Sequence, residues 1–403
     1  MRPDRPALAG AALALLVFSE PARAVDVQFD GFADFRLVVP GSERSWLDGG
    51  LGKLRYGKGD SATQFAGAVA QATVLLTPEL MVSGVARADP SQSTFIMPTE
   101  AFLRYRPVST TPWRWSVKAG AFFPPFSLEN SELGWTSYWT LTPSAINSWF
   151  GDELRTIGGE GTLEWRVAGG TLSLTAALFG WNDPAGVMLA DRGWSLDDRP
   201  TALFEDLRLP DATVIRLHGT PPGYTPIFGE YDDRAGWYGG ATWAGADDWK
   251  LQLFRYDNDA DASAEENGHF AWRTDFWDAG VSKTYDAFTV LAQGVTGTTI
   301  VTPFPQFSSV TNFDAAYALL GWEQGDWRLA ARGDLFRTHN GGNSLLGENG
   351  YALTFAATWL PKDWLRLTGE VIYIDSTRNE REIDGLAPNQ ADTQVQLSLR
   401  LYL

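Results

Sequence analysis

The side chains best placed to act on other molecules are basic residues on one side of segments in which polar and apolar residues alternate. In an extended strand alternate side chains point to opposite faces, so these charges share the face that the apolar residues leave free. Fixed charges on such a wall attract or repel ions and so select among them, without making or breaking covalent bonds. We therefore predict that a set of basic residues lines a water-filled pore: Arg87, Arg104, Arg106, Arg114, Lys118, Arg328, Arg332 and Arg366.

Acidic residues that complement this wall lie in the aromatic-rich segment 122–154. A solvent-exposed loop has no reason to carry so many large apolar rings, so we expect the segment to fold back against the wall rather than form a cap outside it. Its carboxylates would then face the basic side chains and set up a transverse field at a constriction. Thr142 followed by Pro143 predicts a short helix over residues 144–149. The predicted pore-loop acids are Glu129, Glu132, Asp152 and Glu153.

Composition argues against most catalytic and metal sites. The chain has no cysteine, which removes thiolate ligands and a cysteine nucleophile, and its three histidines are too far apart for a paired metal site. No G-x-S-x-G motif is present. The formal net charge of -17 repels the phosphates of nucleic acid. We therefore predict a protein that is not an enzyme, holds no cofactor or metal and binds no nucleic acid.

Apolar and polar residues alternate along most of the chain, as in residues 27–39 and 327–335. The segments run about 9–13 residues, which matches the length that a tilted strand needs to cross a bilayer. A soluble propeller would show a repeat of about 40–45 residues, and the sequence has no such repeat. The predicted strands begin near residues 27, 63, 80, 97, 113, 155, 171, 235, 249, 274, 288, 313, 327, 350, 364 and 392.

Short and long connections alternate between these segments. The long, Gly- and Asp-rich connections span residues 40–62, 90–96, 122–154, 182–234, 257–273, 298–312, 337–349 and 376–391. A sheet in lipid cannot leave an edge unpaired, so an even meander with its long loops at one end favours a closed barrel over a sandwich. The predicted fold class is all-β: a transmembrane antiparallel β-barrel of about 16 strands, with short periplasmic turns and long extracellular loops.

Tryptophans mark the strand ends beside the short turns. Trp243, Trp249, Trp327 and Trp359 share the parity of the apolar face. Amphipathic rings collect at the headgroup level of a membrane. We predict that these four side chains face lipid in one belt at the periplasmic boundary.

The first residues have the pattern of a targeting segment. Arg2 and Arg5 precede an apolar run over residues 8–18, and Ala22 and Ala24 form a small-x-small cleavage pattern. We predict a signal peptide over residues 1–24 and a barrel over residues 25–403, with its pore loop near 122–154. Because an exported chain without cysteine fits a bacterial envelope, we expect the protein in the outer membrane.

Residues 118–129, Lys-Ala-Gly-Ala-Phe-Phe-Pro-Pro-Phe-Ser-Leu-Glu, resemble the strand-to-loop motif of the phosphate-selective porin O/P family of Gram-negative outer membranes. Residues 155–158 resemble the start of that family's next strand. The resemblance implies a trimeric, sixteen-stranded porin with an inward-folded third loop, surrounded by outer-membrane lipid and lipopolysaccharide. Phosphate selectivity in the family depends on a ladder of Arg and Lys in the pore. Here the basic residues are scattered in an acidic chain, so that selectivity is not carried over.

The predicted function is that of an outer-membrane porin, a water-filled channel for passive diffusion of small hydrophilic solutes or ions. The alternative is a surface-binding or structural barrel whose loop 182–234 engages an external partner. In that loop, Asp198 before Pro200 predicts a short helix. The predicted contacts with the partner are Phe204, Leu207, Tyr224 and Phe228.

Overall fold

The computed structural model describes residues 26–217 and 222–403, so the predicted signal peptide lies outside the described residues. Side-chain burial alternates along most of this chain. In the strand Trp327–Asn340 every second side chain from Arg328 onwards is buried, whereas Leu335 between them is 67% exposed. This period of two follows directly from the pleat of an extended strand with one face turned inward.

Twenty strands are present within the described residues. They are β1 (Asp26–Val39), β2 (Thr63–Leu75), β3 (Leu80–Ala88), β4 (Ile96–Tyr105), β5 (Trp113–Phe122), β6 (Thr156–Val167), β7 (Gly170–Gly180), β8 (Asp206–Arg208), β9 (Tyr224–Pro226), β10 (Gly236–Gly245), β11 (Trp249–Asp257), β12 (Glu265–Glu266), β13 (His269–Phe270), β14 (Arg273–Tyr285), β15 (Phe288–Phe304), β16 (Phe307–Gln324), β17 (Trp327–Asn340), β18 (Glu348–Lys362), β19 (Leu365–Arg378) and β20 (Asn389–Tyr402).

In the described part of the chain, three α-helices lie in the connections between strands: α1 (Ala145–Glu153), α2 (Val187–Asp191) and α3 (Asp211–Arg216). Single 3₁₀ turns occur at Trp46–Asp48, Ser344–Leu346 and Asn379–Asp384. None of the described helices has the length and apolar character needed to cross a bilayer.

Sixteen of the strands form one closed antiparallel barrel in chain order, while β8 pairs with β9 and β12 with β13 in the loops. The barrel closes where β1 pairs with β20, from Phe32 opposite Tyr402 to Val39 opposite Val395. Closure leaves no strand edge unpaired. The predicted all-β, sixteen-strand barrel is confirmed. We call the end with the short turns the turn side and the opposite end the loop side.

One predicted long connection is wrong. Residues 298–312 are mostly strand, because β15 continues to Phe304 and β16 begins at Phe307, which leaves a two-residue turn. The register shifts between Val301 and Phe304. Pro303 lies in this interval and has no N–H to donate to the ladder, so the strands accommodate it as an irregularity instead of ending there.

The tryptophans beside the short turns point outward, as predicted. Trp249, Trp327 and Trp359 are each about two-fifths to one-half exposed, and Trp243 is half-buried. Trp327 stacks on Trp359 across two neighbouring strands, with ring centroids 6.2 Å apart. Rings in such cross-strand pairs stabilise the sheet on its outer face.

Candidate functional site: the lumen and its inserted loops

The segment 122–154 lies inside the barrel. The ring of Phe126 is fully buried at its centre. It packs at centroid distances of 5.2 to 6.2 Å on Phe150, Tyr238, Phe254, Tyr256 and Phe276. Since four of these partners project inward from the wall, the loop is joined to the barrel by a layer of interlocked aromatic rings.

Two of the predicted pore-loop acids meet the predicted basic wall. Glu129 accepts a hydrogen bond from Arg332 on β17 at 2.7 Å, and both side chains are fully buried. Glu132 accepts one from Arg366 on β19 at 3.0 Å. Charge-assisted bonds of this kind hold the loop against the β17–β19 wall.

The other two predicted acids contact a second inserted segment, residues 182–217, and not the wall. Asp152 pairs with Arg192 at 2.9 Å. Glu153 accepts from the backbone N–H groups of Met188 and Leu189 at 2.8 and 3.1 Å, at the start of α2. A carboxylate at a helix N-terminus satisfies donors that have no partner inside the helix.

The reason for this difference is the position of α1. The helix begins after Ser144, whose side chain accepts from the backbone N–H of Asn147, and it continues to Glu153. Thr142 and Leu141 precede the helix, and their backbone N–H groups donate to the wall carboxylate Glu370 at 3.1 and 2.7 Å. The helix is therefore longer than predicted, and the two acids at its end contact residues 182–217.

A third set of contacts joins residues 182–217 and residues 40–62 to the wall at β1. Asp198 bridges two guanidinium groups, with Arg36 at 2.5 Å and Arg55 at 2.9 Å. Burial alone would raise the pKa of Asp198, but these two arginines hold it well below its ordinary value. The predicted helix at Asp198 is wrong: within the described chain none begins there, because the carboxylate is engaged by arginines.

The remaining predicted basic residues are divided between the two ends of the lumen. On the loop side, Arg87 is buried and pairs with Asp89 at 3.2 Å. Arg328 lies nearer the turns, where its guanidinium packs 3.4 Å from the ring centre of Tyr138 in the inserted loop. Both side chains therefore support the loops, and neither extends freely into water.

At the β4–β5 hairpin, also on the turn side, the basic residues are more open. Arg104 lies directly opposite Lys118 in the register of β4 and β5. Lys118 pairs with Glu160 at 3.1 Å, and Arg114 lies 3.6 Å from Glu164. Arg106 follows the end of β4 and is exposed. These side chains border the part of the lumen that water reaches.

Sequence reasoning missed the insertion of residues 40–62 and 182–217. Trp194 is fully buried and donates from its indole N–H to the backbone carbonyl of Arg337 at 3.0 Å. Trp46 is equally buried, beneath the guanidinium of Arg192. The large aromatic residues in these two loops could have predicted their burial. We applied that argument only to the segment 122–154.

One group of carboxylates could hold a cation. Asp183, Glu230 and Asp232 bring oxygen atoms within 4.8 Å of one another. Burial, followed by the nearby carboxylates, raises the pKa of Asp183 to about 7. The carboxylate of Asp183 accepts from a backbone N–H, and that of Glu230 from the N–H of Trp181. The cluster is thus already engaged in shaping the connection to β10.

No protein-family model matches the chain, and no curated protein matches it either. Among solved structures, the outer membrane channel DcaP of Acinetobacter baumannii has a TM-score of 0.56 at 11% identity, covering 94% of this chain and 97% of that one. The trimer form of OmpT, an outer membrane protein of Vibrio cholerae, has a TM-score of 0.50 at 12% identity, covering 94% and 100%. An anion-selective porin from Comamonas acidovorans has a TM-score of 0.52 at 12% identity, covering 94% and 100%. The chain has a porin-like barrel fold.

Proposed function

We propose that the protein is an outer-membrane porin that lets small hydrophilic solutes or ions diffuse through its barrel. The observation that carries this proposal is the inserted segment 122–154, which Arg332 and Arg366 hold against the wall. A fixed loop inside a sixteen-strand barrel narrows the lumen, so passage depends on size and charge at that level. The proposal includes no catalytic step.

The turn side supports passive diffusion. Ser116, Thr162, Thr175 and Thr242 project inward there and remain partly exposed. Small hydroxyl side chains bind water without holding a solute tightly, which suits a channel that must release what enters.

Phosphate selectivity is not part of the proposal. The motif in residues 118–129 supports a porin with an inward loop, but the basic side chains do not form a free ladder. Arg332, Arg366 and Lys118 each have a carboxylate partner. A paired guanidinium offers less positive potential to a passing anion than an unpaired one.

The location and assembly are part of the same proposal. Residues 1–24 would direct export, and the aromatic outer face would lie in outer-membrane lipid beside lipopolysaccharide. We propose a homotrimer, which the resemblance to the porin O/P family and the trimeric form of the OmpT structure support.

Single-channel recording in planar bilayers tests this function. Because inserted loops fill much of the loop side, we expect small discrete current steps, and removal of residues 129–148 should enlarge them. Deletion of Gly341 and Gly342, in an exposed loop, is the control and should leave the steps unchanged. Absence of current from both the wild type and the 129–148 deletion, with both folded, would refute the channel.

A sealed barrel that binds an external partner is the second candidate. It is favoured by the dense packing of the loop side and by Phe204 and Tyr224, which are 74% and 55% exposed in loop 182–234. The other two predicted contacts are less available, because Leu207 is buried and Phe228 is half-buried against the loop core. The same recordings separate the two candidates, since a sealed barrel carries no current.

A further inference from the structure

A cavity of about 460 Å³ lies in the lumen beneath the tip of the inserted loop. It is bordered by Asn130 to Trp135 on the loop and by inward residues of β1, β2, β4 and β19, including Asp30, Gln71, Glu100 and Arg366. Cavities of roughly 300–1,000 Å³ are the usual size for small-molecule sites. The cavity is not enclosed, so a solute in the lumen can reach it.

The charge in this cavity is negative. Its lining contains three carboxylates and one guanidinium, and that guanidinium, Arg366, is already bound to Glu132. Asp30 and Glu100 have no ion-pair partner within residues 26–217 and 222–403. Asp30 accepts only from the amide of Gln28 at 3.2 Å, and Glu100 from the backbone N–H of Phe123 at 3.3 Å.

Basic side chains close to Glu100 are engaged elsewhere. Lys118 pairs with Glu160 at 3.1 Å. The guanidinium of Arg155 packs 3.5 Å from the ring centre of Phe123 and donates to the backbone carbonyl of Leu154 at 2.7 Å. The field inside the cavity therefore favours a positively charged group.

Asn130 supplies a second and independent indication of a ligand. Its side chain is only 6% exposed, and its amide nitrogen donates to the carbonyl of Trp135 at 3.2 Å. A carbonyl can only accept, so the amide orientation is fixed and the oxygen Oδ1 faces away from it. This oxygen is buried and has no hydrogen-bond partner in the described part of the chain. A buried acceptor without a partner is costly, and a ligand N–H would satisfy it.

The loop tip is rigidly built. Trp135 has φ of +60° and its ring stacks on Phe123 with centroids 4.1 Å apart. At Gly134 a Cβ atom would lie 2.6 Å from the side chain of Val69, so the tip approaches the wall as closely as glycine allows. An acceptor-rich cavity with fixed walls loses little order when a ligand binds.

We propose that this cavity binds a small solute bearing ammonium or guanidinium groups, which Asp30 and Glu100, three strands apart in the wall, and Oδ1 of Asn130 would hold. The proposal rests on the porin function above and assigns it a substrate class. An ammonium supplies three donors and a guanidinium five, whereas an anion offers only further acceptors.

Calorimetric titration of the folded, detergent-solubilised protein tests the site without requiring conduction. The probes are putrescine, 1,4-butanediol and succinate, which share a four-carbon chain and differ in charge. We expect putrescine alone to bind. The double variant Asp30→Asn/Glu100→Gln should weaken it by about tenfold or more, since it removes two charged acceptors. Asp326→Asn/Asp363→Asn removes two exposed carboxylates from turns on the same side and should leave affinity unchanged.

Asp30→Asn alone guards against misfolding of the double variant, because Asp30 is half-exposed and its replacement keeps the shape of the side chain. Loss of affinity in this variant supports the site. Equal putrescine affinity in the wild type and both cavity variants overturns it, as does succinate binding as tightly as putrescine. A protein that conducts ions but does not bind putrescine overturns the site alone. A protein that binds putrescine but never conducts supports the site and refutes the channel.

Discussion

The two ends of the lumen share one pattern of inward polar residues but place them in different surroundings. On the turn side, Arg114 and Glu164 lie 3.6 Å apart and each is one-quarter exposed. On the loop side, Arg192 and Asp152 lie 2.9 Å apart and neither is exposed. Local alternation therefore determines which way a side chain points, and the inserted loops determine whether water reaches it.

This difference changes what a charged residue does. An exposed ion pair contributes about 0–1 kcal/mol to stability, because water screens it. Removal of one partner from a buried pair costs about 3–5 kcal/mol, because the other charge is left without compensation. The buried arginines thus hold the loops in place, whereas the charges on β4 to β6 remain available to solutes.

The largest effect is expected from Arg332→Ala. It leaves Glu129 and Asp334 buried without their guanidinium partner, so the free energy of unfolding should fall by about 3–5 kcal/mol. The released loop should also raise conductance. Arg114→Ala is the matched control and should cost about 0–1 kcal/mol. Urea titrations in which the two variants lose equal stability would remove the distinction between charges buried beneath the inserted loop and charges that water reaches.

A smaller effect is expected from Phe126→Leu. The ring is fully buried among aromatic partners, and its replacement leaves a partly filled cavity that should cost about 1–2 kcal/mol. Phe102→Leu changes an inward ring on the turn side that is only half-buried, so it should cost less. Both values come from urea titrations. A greater loss at Phe102 would contradict the packing described for the loop side.

Prediction from the sequence succeeded where the determining contacts are local. The starts of β11 and β17 at Trp249 and Trp327 agree with prediction, because side-chain alternation and the adjacent turns are both local signals. Arg104 and Lys118 were predicted to share the inward face, and they lie opposite each other in a single hairpin.

Prediction failed where partners are distant in the chain. Asp198 meets Arg36 across 162 positions, and Asp152 meets Arg192 across 40. Neither pairing has a periodic signal, since each depends on where two loops pack inside a closed barrel. The destination of Asp152 also depended on the length of α1, which was predicted to end at residue 149.

The smallest effect concerns pH and Asp183, at the loop-side rim. Burial, then the neighbouring carboxylates, raises its pKa to about 7, above the roughly 3.9 of an unfolded chain. The stabilisation from its neutral form is therefore fully present below about pH 4 and is lost as pH rises through 7. We expect stability to fall by about 1 kcal/mol between pH 5 and 8, the order of magnitude that one carboxyl group of raised pKa contributes.

Asp183→Asn should abolish this dependence, and Asp198→Asn should not, because the pKa of Asp198 is lowered and its contribution is lost only in acid. Melting temperatures in buffers containing EDTA measure both. A wild-type protein that is more stable at pH 8 than at pH 5 would contradict the expected direction of this dependence.

The contrast between the two ends is tested most directly by water access to single cysteines, since the natural chain has none. Thr175 projects into the turn side and is partly exposed, whereas Thr299 projects into the loop side and is fully buried against the loop at Gly186. A charged, membrane-impermeant thiol reagent should modify Thr175→Cys rapidly and Thr299→Cys at least about tenfold more slowly. The slower rate is expected because the loop must first open locally, and a tenfold difference corresponds to an opening free energy of about 1.4 kcal/mol. Equal rates at the two positions would show that the loops do not fill the loop side, and would contradict the contrast between the two ends of the lumen.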